Sequence, residues 1–448
     1  MSYSFASYRE YYLRNIRLAA PIILSQVGQM MVQIADSVMV GQHGPTPLAA
    51  VSFGNAVFFI LFIFGLGLSM GVTPLVGEKF AAGEHRHSAA YFQNSLLLYF
   101  VIGLAITVLQ LALVPFMGLM GQEPQVVTLA VPYVRWLALS MFPFMIFAAF
   151  KQFLEGLGNT RVAMYIVLGC VGLNILLNYL LINGKSGFEP MGAEGAGLAT
   201  FISRCCMAAG IIVYFLCRDT FRRYFSLCRW KNFGLGRLRR LLGVGAPISL
   251  QMVMEGSAFA LSSIMIGWIG DKELAANQVA LSVISFAFMM LVGIVSASTV
   301  LVSHEVGRRN RDGVRMAAGA TYHIAIAYGV LSALLLVAFN RLIPIGFTDD
   351  PATIDIASRL LLIYACFELA DALQFVSLGI LRGMQDVRYT AVVAFVACIL
   401  FNLPTGYLMG FTLGLGVYGV WLGYAVGLGL AAVLLWLRLR SKMRRLTF

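Results

Sequence analysis

Apolar runs long enough to cross a bilayer recur along the whole chain, separated by short polar stretches. A spanning helix needs about 20 apolar residues, because each residue rises only about 1.5 Å. The pattern predicts twelve spans, over residues 15–41, 48–77, 89–117, 126–151, 160–183, 192–217, 241–269, 274–303, 316–339, 353–380, 388–412 and 416–438. One polar stretch is long: 218–240, RDTFRRYFSLCRWKNFGLGRLRR. The pattern reads as an all-α polytopic membrane protein with little mass outside the bilayer.

The pattern also repeats. Ala20-Pro21 returns as Ala246-Pro247, SVMVG (37–41) as SIMIG (263–267), and LAA (48–50) as LAA (274–276), all at an offset of 226. FLEGLGNTR (153–161) returns as ILRGMQDVR (380–388) at 227, and Asn174 with Tyr179 returns as Asn402 with Tyr407 at 228. The chain therefore reads as two six-helix lobes, 1–217 and 241–448, joined by the 218–240 linker. An even number of spans gives both lobes one orientation. Parallel repeats of this kind belong to transporters, with the binding region between or within the halves. The plainer alternative is a duplication that serves no transport.

Composition narrows the class further. The chain is 60% hydrophobic and 12% charged over 448 residues, with mean hydropathy +0.83. That leaves too few polar residues to cover a soluble surface. The net charge is +12. Twenty-six basic residues fall at the termini, in the linker and in the loops of the same side, against Lys185, Lys272 and Arg341 opposite. This bias predicts that both termini and the linker are cytoplasmic, and it explains the charge without nucleic acid. The first 17 residues are polar and lack a small-residue cleavage site, so no removable signal peptide is expected. Cysteines 170, 205, 206, 217, 228, 366 and 398 lie mostly in apolar runs without metal or redox spacing, and read as small hydrophobes.

Against this apolar background the acids stand out. A carboxylate at the bilayer centre costs about 2.5–3.5 kcal/mol on insertion scales, and such residues are functional by default. Asp36 in span 1, Glu255 in span 7, and Glu368 and Asp371 in span 10 qualify. Gln26, Gln29, Gln33 and Asp36 share one helical face, and so do Asn174 and Asn178 in span 5. An aspartate and two asparagines offer the hard oxygens that a small cation or a proton relay uses. Simple helix–helix hydrogen bonding is the competing reading. In the second half, Gln251, Glu255 and Ser262 share a face of span 7. Tyr364, Glu368 and Asp371 follow at steps of 4 and 3 in span 10. Such acids can exchange a proton or be held ionised by a bound cation. Arg204 lies mid-span and needs a partner that the sequence does not name.

Enzyme signatures fail. NGKS (183–186) lacks the first glycine of a phosphate loop, since position 179 is Tyr179. His304-Glu305 lacks the second histidine of a zinc-protease helix, where Arg308 stands. Without an ATP site, transport would be secondary.

Taken together, IADSVMVG in span 1, MGVTPLVGE (70–78), EGLGNTR after span 4, LAANQVA (274–280) in span 8, ELADALQ in span 10 and LPTGY (403–407) resemble the multidrug and toxic compound extrusion (MATE) family, in its NorM-type branch. The resemblance covers essentially the whole chain. It implies a MATE/MOP-type fold of twelve helices in two parallel repeats. It also implies export of organic, often cationic and amphipathic compounds in exchange for inward Na+ or H+, with no other cofactor. The halves would rock between outward- and inward-facing states. The resemblance assigns Asp36, Asn174 and Asn178 to a first-half cation site, and Glu255 and Asp371 to a second-half one. Glu368, Tyr364, Gln33, Gln251 and Gln278 are accessory candidates. Phe367 departs from the branch, where an aromatic hydroxyl often precedes the span 10 aspartate by one turn. A bacterial inner-membrane location and a monomer are expected. The alternatives are a flippase for a lipid-linked precursor and, in another class, a membrane-embedded enzyme. The first would want a cationic cavity and the second a metal or nucleophile constellation.

Overall fold

The computed structural model describes residues 5–185, 189–227 and 233–446. Cys228, the centre of the linker and Ser186 of the NGKS stretch lie outside the described residues. Among the described residues, twelve helices are long and apolar enough to span a membrane: α1 Tyr8–Gly41, α2 Pro45–Ala81, α3 His85–Leu119, α4 Pro124–Gly156, α5 Arg161–Asn183, α6 Ala193–Cys217, α7 Leu235–Gly267, α8 Asp271–Gly307, α9 Arg311–Phe339, α10 Pro351–Gly383, α11 Val387–Thr412 and α12 Gly416–Arg445. They match the predicted spans one for one and extend most of them. No strand occurs among the described residues.

The helix ends follow from local chemistry. Pro45, Pro124 and Pro351 open α2, α4 and α10, where a missing N–H costs nothing. The Asn310 side chain accepts from Gly313 N at 3.0 Å and caps α9. The Asp350 carboxylate accepts from Thr353 N at 3.1 Å and caps α10. Gly184, at φ +64°, closes α5 in the left-handed conformation that glycine tolerates.

The chain packs as two compact units. The first is Leu24–Ser249, and the second is Met1–Ile23 with Leu250–Phe448. The duplication divides the sequence at the 218–240 linker, whereas packing divides it inside α1 and inside α7. The two cuts lie 226 residues apart, the offset of the sequence repeat.

Close backbone approaches account for this. In the first unit, a Cβ on Gly67 would stand 2.6 Å from Ser249 Cα, and one on Gly71 would stand 2.7 Å from Gly245 N. The beginning of α7 therefore lies directly on α2, where Ser249 Oγ donates to Phe64 O at 2.7 Å. In the second unit the counterpart of Gly67 is Gly293, which faces Ile23 and Ala19 at the beginning of α1. Asn15 Nδ2 donates there to Thr321 Oγ1 at 3.1 Å, and Arg14 reaches Glu305 at 3.5 Å.

The duplication persists at the level of single hydrogen bonds. Thr73 Oγ1 donates to Gln152 O at 3.1 Å, and Thr299 Oγ1 donates to Gly379 O at 3.0 Å. Gly156 then seats α4 against Val76, as Gly383 seats α10 against Val302. Small residues are what let membrane helices approach this closely.

The widest departure from plain α-helix is in α11. In α11, Phe395–Asn402 and Leu408–Thr412 are wound as π-helix around Leu403–Tyr407. Pro404 cannot donate to the preceding turn, and a wider winding absorbs the loss. Gly423 and Gly427 of α12 meet this stretch at Gly406 and Asn402.

Candidate functional site

Each unit gathers buried polar side chains around the acids singled out in the sequence, and the two gatherings differ. In the first unit, Gly28 lets α1 lie against Leu168 and Val171 of α5. The helices run side by side from there, so Asp36 arrives next to Asn178 and His43 next to Asn183, at 3.1 Å. Asn174 and Asn178 lie one turn apart on the face that meets α1. Asn178 Nδ2 donates to Asp36 Oδ1 and to Asn174 Oδ1, the latter at 3.1 Å. All three residues are buried. Asn178 Oδ1 is also buried and accepts no hydrogen bond. A carboxylate and two amides are thus gathered here, and reversal of the Asn178 amide would turn its unpaired Oδ1 toward the other two oxygens to make a set of hard oxygens. That set suits a small monovalent cation, which would satisfy the orphaned oxygen.

Arg204 of α6 now has partners. It donates to Ser140 Oγ at 2.8 Å, and its guanidinium lies 5.2 Å from the Phe58 and Phe62 ring centres and 5.1 Å from that of Phe144. Cation–π attraction from three rings compensates part of its lost hydration. Its charge also acts on Asp36. Tyr133, notched into Gly54 and Gly197, donates to Asn55 Oδ1 at 3.0 Å in the same region. The 227 offset carries Asp371 onto Phe144, so the first unit has a ring against a cation where the second has an acid.

In the second unit, α7 and α10 meet through their polar faces. Gln251 Nε2 donates to Glu255 Oε1 at 3.2 Å, and Gln374 Nε2 donates to the same oxygen at 3.4 Å. Arg382 donates to Gln251 Oε1 at 3.3 Å. Asp371 accepts from the Tyr364 hydroxyl at 3.2 Å. The aromatic hydroxyl for this aspartate thus comes from two turns back, and Phe367 packs edge-on against the Tyr364 ring at 5.1 Å. Glu368 is fully buried; no hydrogen bond of good geometry reaches its carboxylate, and the Tyr364 and Ser332 hydroxyls are its nearest polar partners.

Not every accessory candidate joins these clusters. Gln33 and Gln278 are exposed on their helices. In LAANQVA the buried polar residue is Asn277, which accepts from Trp421 Nε1 at 3.0 Å and donates to Ser263 Oγ at 3.2 Å. Asn277 locks helices together, and a helix-face count from Gln278 points one position away from it. Sequence reasoning also missed Gln374, although it follows Asp371 by three residues on the same face. Arg382 was counted among the loop charges. It is instead buried in the last turn of α10, where the repeat places Glu155 in the first half.

Known proteins share this fold and this twofold sequence pattern. The family described as MatE matches residues 21–180 and 247–408, one match in each half. The chain is 32% identical over 439 residues to a probable multidrug resistance protein NorM of Bradyrhizobium diazoefficiens, covering 97% of this chain and 94% of the relative. It is 32% identical over 435 residues to the multidrug resistance protein PmpM of Pseudomonas aeruginosa, covering 96% and 91%. An outward-facing structure of a multidrug resistance MATE family transporter superposes with a TM-score of 0.88 at 22% identity, covering 97% and 96%.

Proposed function

The chain belongs to the MatE family, and we propose that this multidrug efflux transporter exchanges organic cations and related amphipathic drugs for inward Na+. The observation that carries the choice of ion is Asn178 Oδ1, a buried oxygen without a donor beside Asp36 and Asn174. A proton would need only the carboxylate, whereas Na+ makes use of neutral oxygens as well. Glu255 and Asp371 form the second coupling locus. Gln251 and Gln374 orient Glu255, and Tyr364 orients Asp371.

Cation and drug favour different conformations of the protein, so binding one releases the other. Asp36 supplies the charge that either ligand neutralises, and removing that charge removes the linkage. H+ is the competing coupling ion. The basic bias supports a bacterial inner-membrane protein with both termini and the linker in the cytoplasm. We read it as a monomer with no enzymatic step and no nucleic-acid partner.

Efflux of a fluorescent cation from cells tests the coupling. Asp36→Asn and Asp371→Asn are each expected to lower the efflux rate at least tenfold while the protein still inserts. Export at the wild-type rate by both variants would remove the acids from the mechanism. Substrate release from purified protein separates the ions: added Na+ at constant pH should release bound dye. Release only by a pH step would replace Na+ with H+.

A further inference from the structure

Basic side chains at the beginning of α9 and the end of α12 are not all used in the same way. Arg438 and Lys442 of α12 are committed to Asp386, at 2.8 and 3.4 Å. Arg440 turns to another face, where its guanidinium lies 5.3 Å from the Trp436 ring centre. That face borders a groove of about 500 Å³ lined by Arg315, Ala318, Tyr322, Trp436, Leu439 and Met443 with Arg440. Arg315 has one acidic neighbour, Asp312, at a long 3.8 Å on an exposed surface. Such a pair is worth little and yields easily to a better anion. Arg311 donates to Arg444 O at 3.2 Å and ties the two helix ends together.

The lining is graded along the two helices. Arg315, Arg440 and Met443 stand nearest the helix ends, Ala318 and Leu439 follow, and the Tyr322 and Trp436 rings lie deepest in the groove. We propose that this groove binds one anionic phospholipid. Its phosphodiester lies between Arg315 and Arg440, its glycerol against Ala318 and Leu439, and its acyl chains run past the Tyr322 and Trp436 rings into the bilayer. Guanidinium pairs favour phosphate geometry. Tryptophan and tyrosine favour the headgroup level at which helices end. Basic clefts between helix ends are where anionic headgroups collect. The site is independent of the transport reading, because it uses none of the residues assigned to coupling.

Purified full-length protein, delipidated in detergent and titrated with phosphatidylglycerol or phosphatidylcholine, provides the test. Native mass spectrometry should show one retained phosphatidylglycerol adduct that phosphatidylcholine does not give, accompanied by a rise in Tm. The double variant Arg315→Gln/Arg440→Gln should bind phosphatidylglycerol about tenfold more weakly. Arg161→Gln, which removes an exposed charge elsewhere, should not change binding, and Arg440→Lys should retain most of it. Equal retention of the two lipids by the wild type would overturn the proposal without recourse to any variant. So would undiminished phosphatidylglycerol binding by the double variant. Equal protection by inorganic phosphate would assign the groove to a free anion and overturn the lipid.

Discussion

A single arginine shows how the first unit manages buried charge. Arg204 is held by a hydroxyl and three rings rather than by a carboxylate, and its charge reaches Asp36. Replacing it with methionine keeps most of the packing but removes that charge. The charge-assisted hydrogen bond and cation–π contacts together are worth about 2 kcal/mol or more, so Arg204→Met should unfold at a lower temperature. It should also gain more stability from Na+ than the wild type does, because loss of the guanidinium removes a long-range repulsion on a cation bound at Asp36. Thermal unfolding across a Na+ series measures this. The double variant Asp36→Asn/Arg204→Met should lose the Na+ effect. Equal Na+ stabilisation of wild type and Arg204→Met would separate Arg204 from the cation site. Glu368 presents the opposite case: a buried acid with no hydrogen bond of good geometry, sharing the Tyr364 hydroxyl with Asp371 and facing Ser332.

Among elements, the glycine crossings carry the strongest consequences. Gly67 meets backbone atoms of Ser249, whereas the nearest atom to Gly293 belongs to the Ile23 side chain. A side chain can turn away and a helix backbone cannot. Gly67→Ala should therefore destabilise the protein by about 1–3 kcal/mol, the usual cost of overpacking, and Gly293→Ala by less. The Tm of the two variants in one detergent decides the order. A larger loss for Gly293→Ala would mean that the two crossings are not limited by these contacts. The linker also contributes an element, the short helix Asp219–Ser226. Its Tyr224 and Phe225 pack against Phe153, Phe92 and Phe150 in the first unit, with ring centres 5.1 to 6.1 Å apart. A stretch that reads as a basic tether is thus partly anchored by its aromatics.

For the molecule as a whole, orientation is the property most open to a direct check. In a background without native cysteines, Lys185→Cys should react with a membrane-impermeant maleimide from the periplasmic side of spheroplasts. Arg239→Cys should react only after the membrane is opened. The reverse pattern would invert the topology, since loop charge is what sets it. The twelve spans and the twofold repeat were readable in the chain because both are periodic. Span length is fixed by bilayer thickness, and the repeat survives as matched residues at one offset. Asp36, Asn174, Asn178, Glu255 and Asp371 stood out as well, because polar groups are rare in such runs. Gln374, Asn277 and the ring cage of Arg204 did not, since glutamine, asparagine and phenylalanine acquire a role only from what lies opposite them.

The sequence by itself determined how many helices cross the membrane, that they come in two like halves, and which acids are buried. These follow from local length, local polarity and duplication. Tertiary structure alone decided that α1 and α7 are each shared between the two packing units, because that depends on glycine meeting backbone across distant helices. It also decided that Asp36 meets an asparagine pair while Glu255 meets two glutamines. A helical face specifies which residues point together, and only the neighbouring helix specifies what they point at.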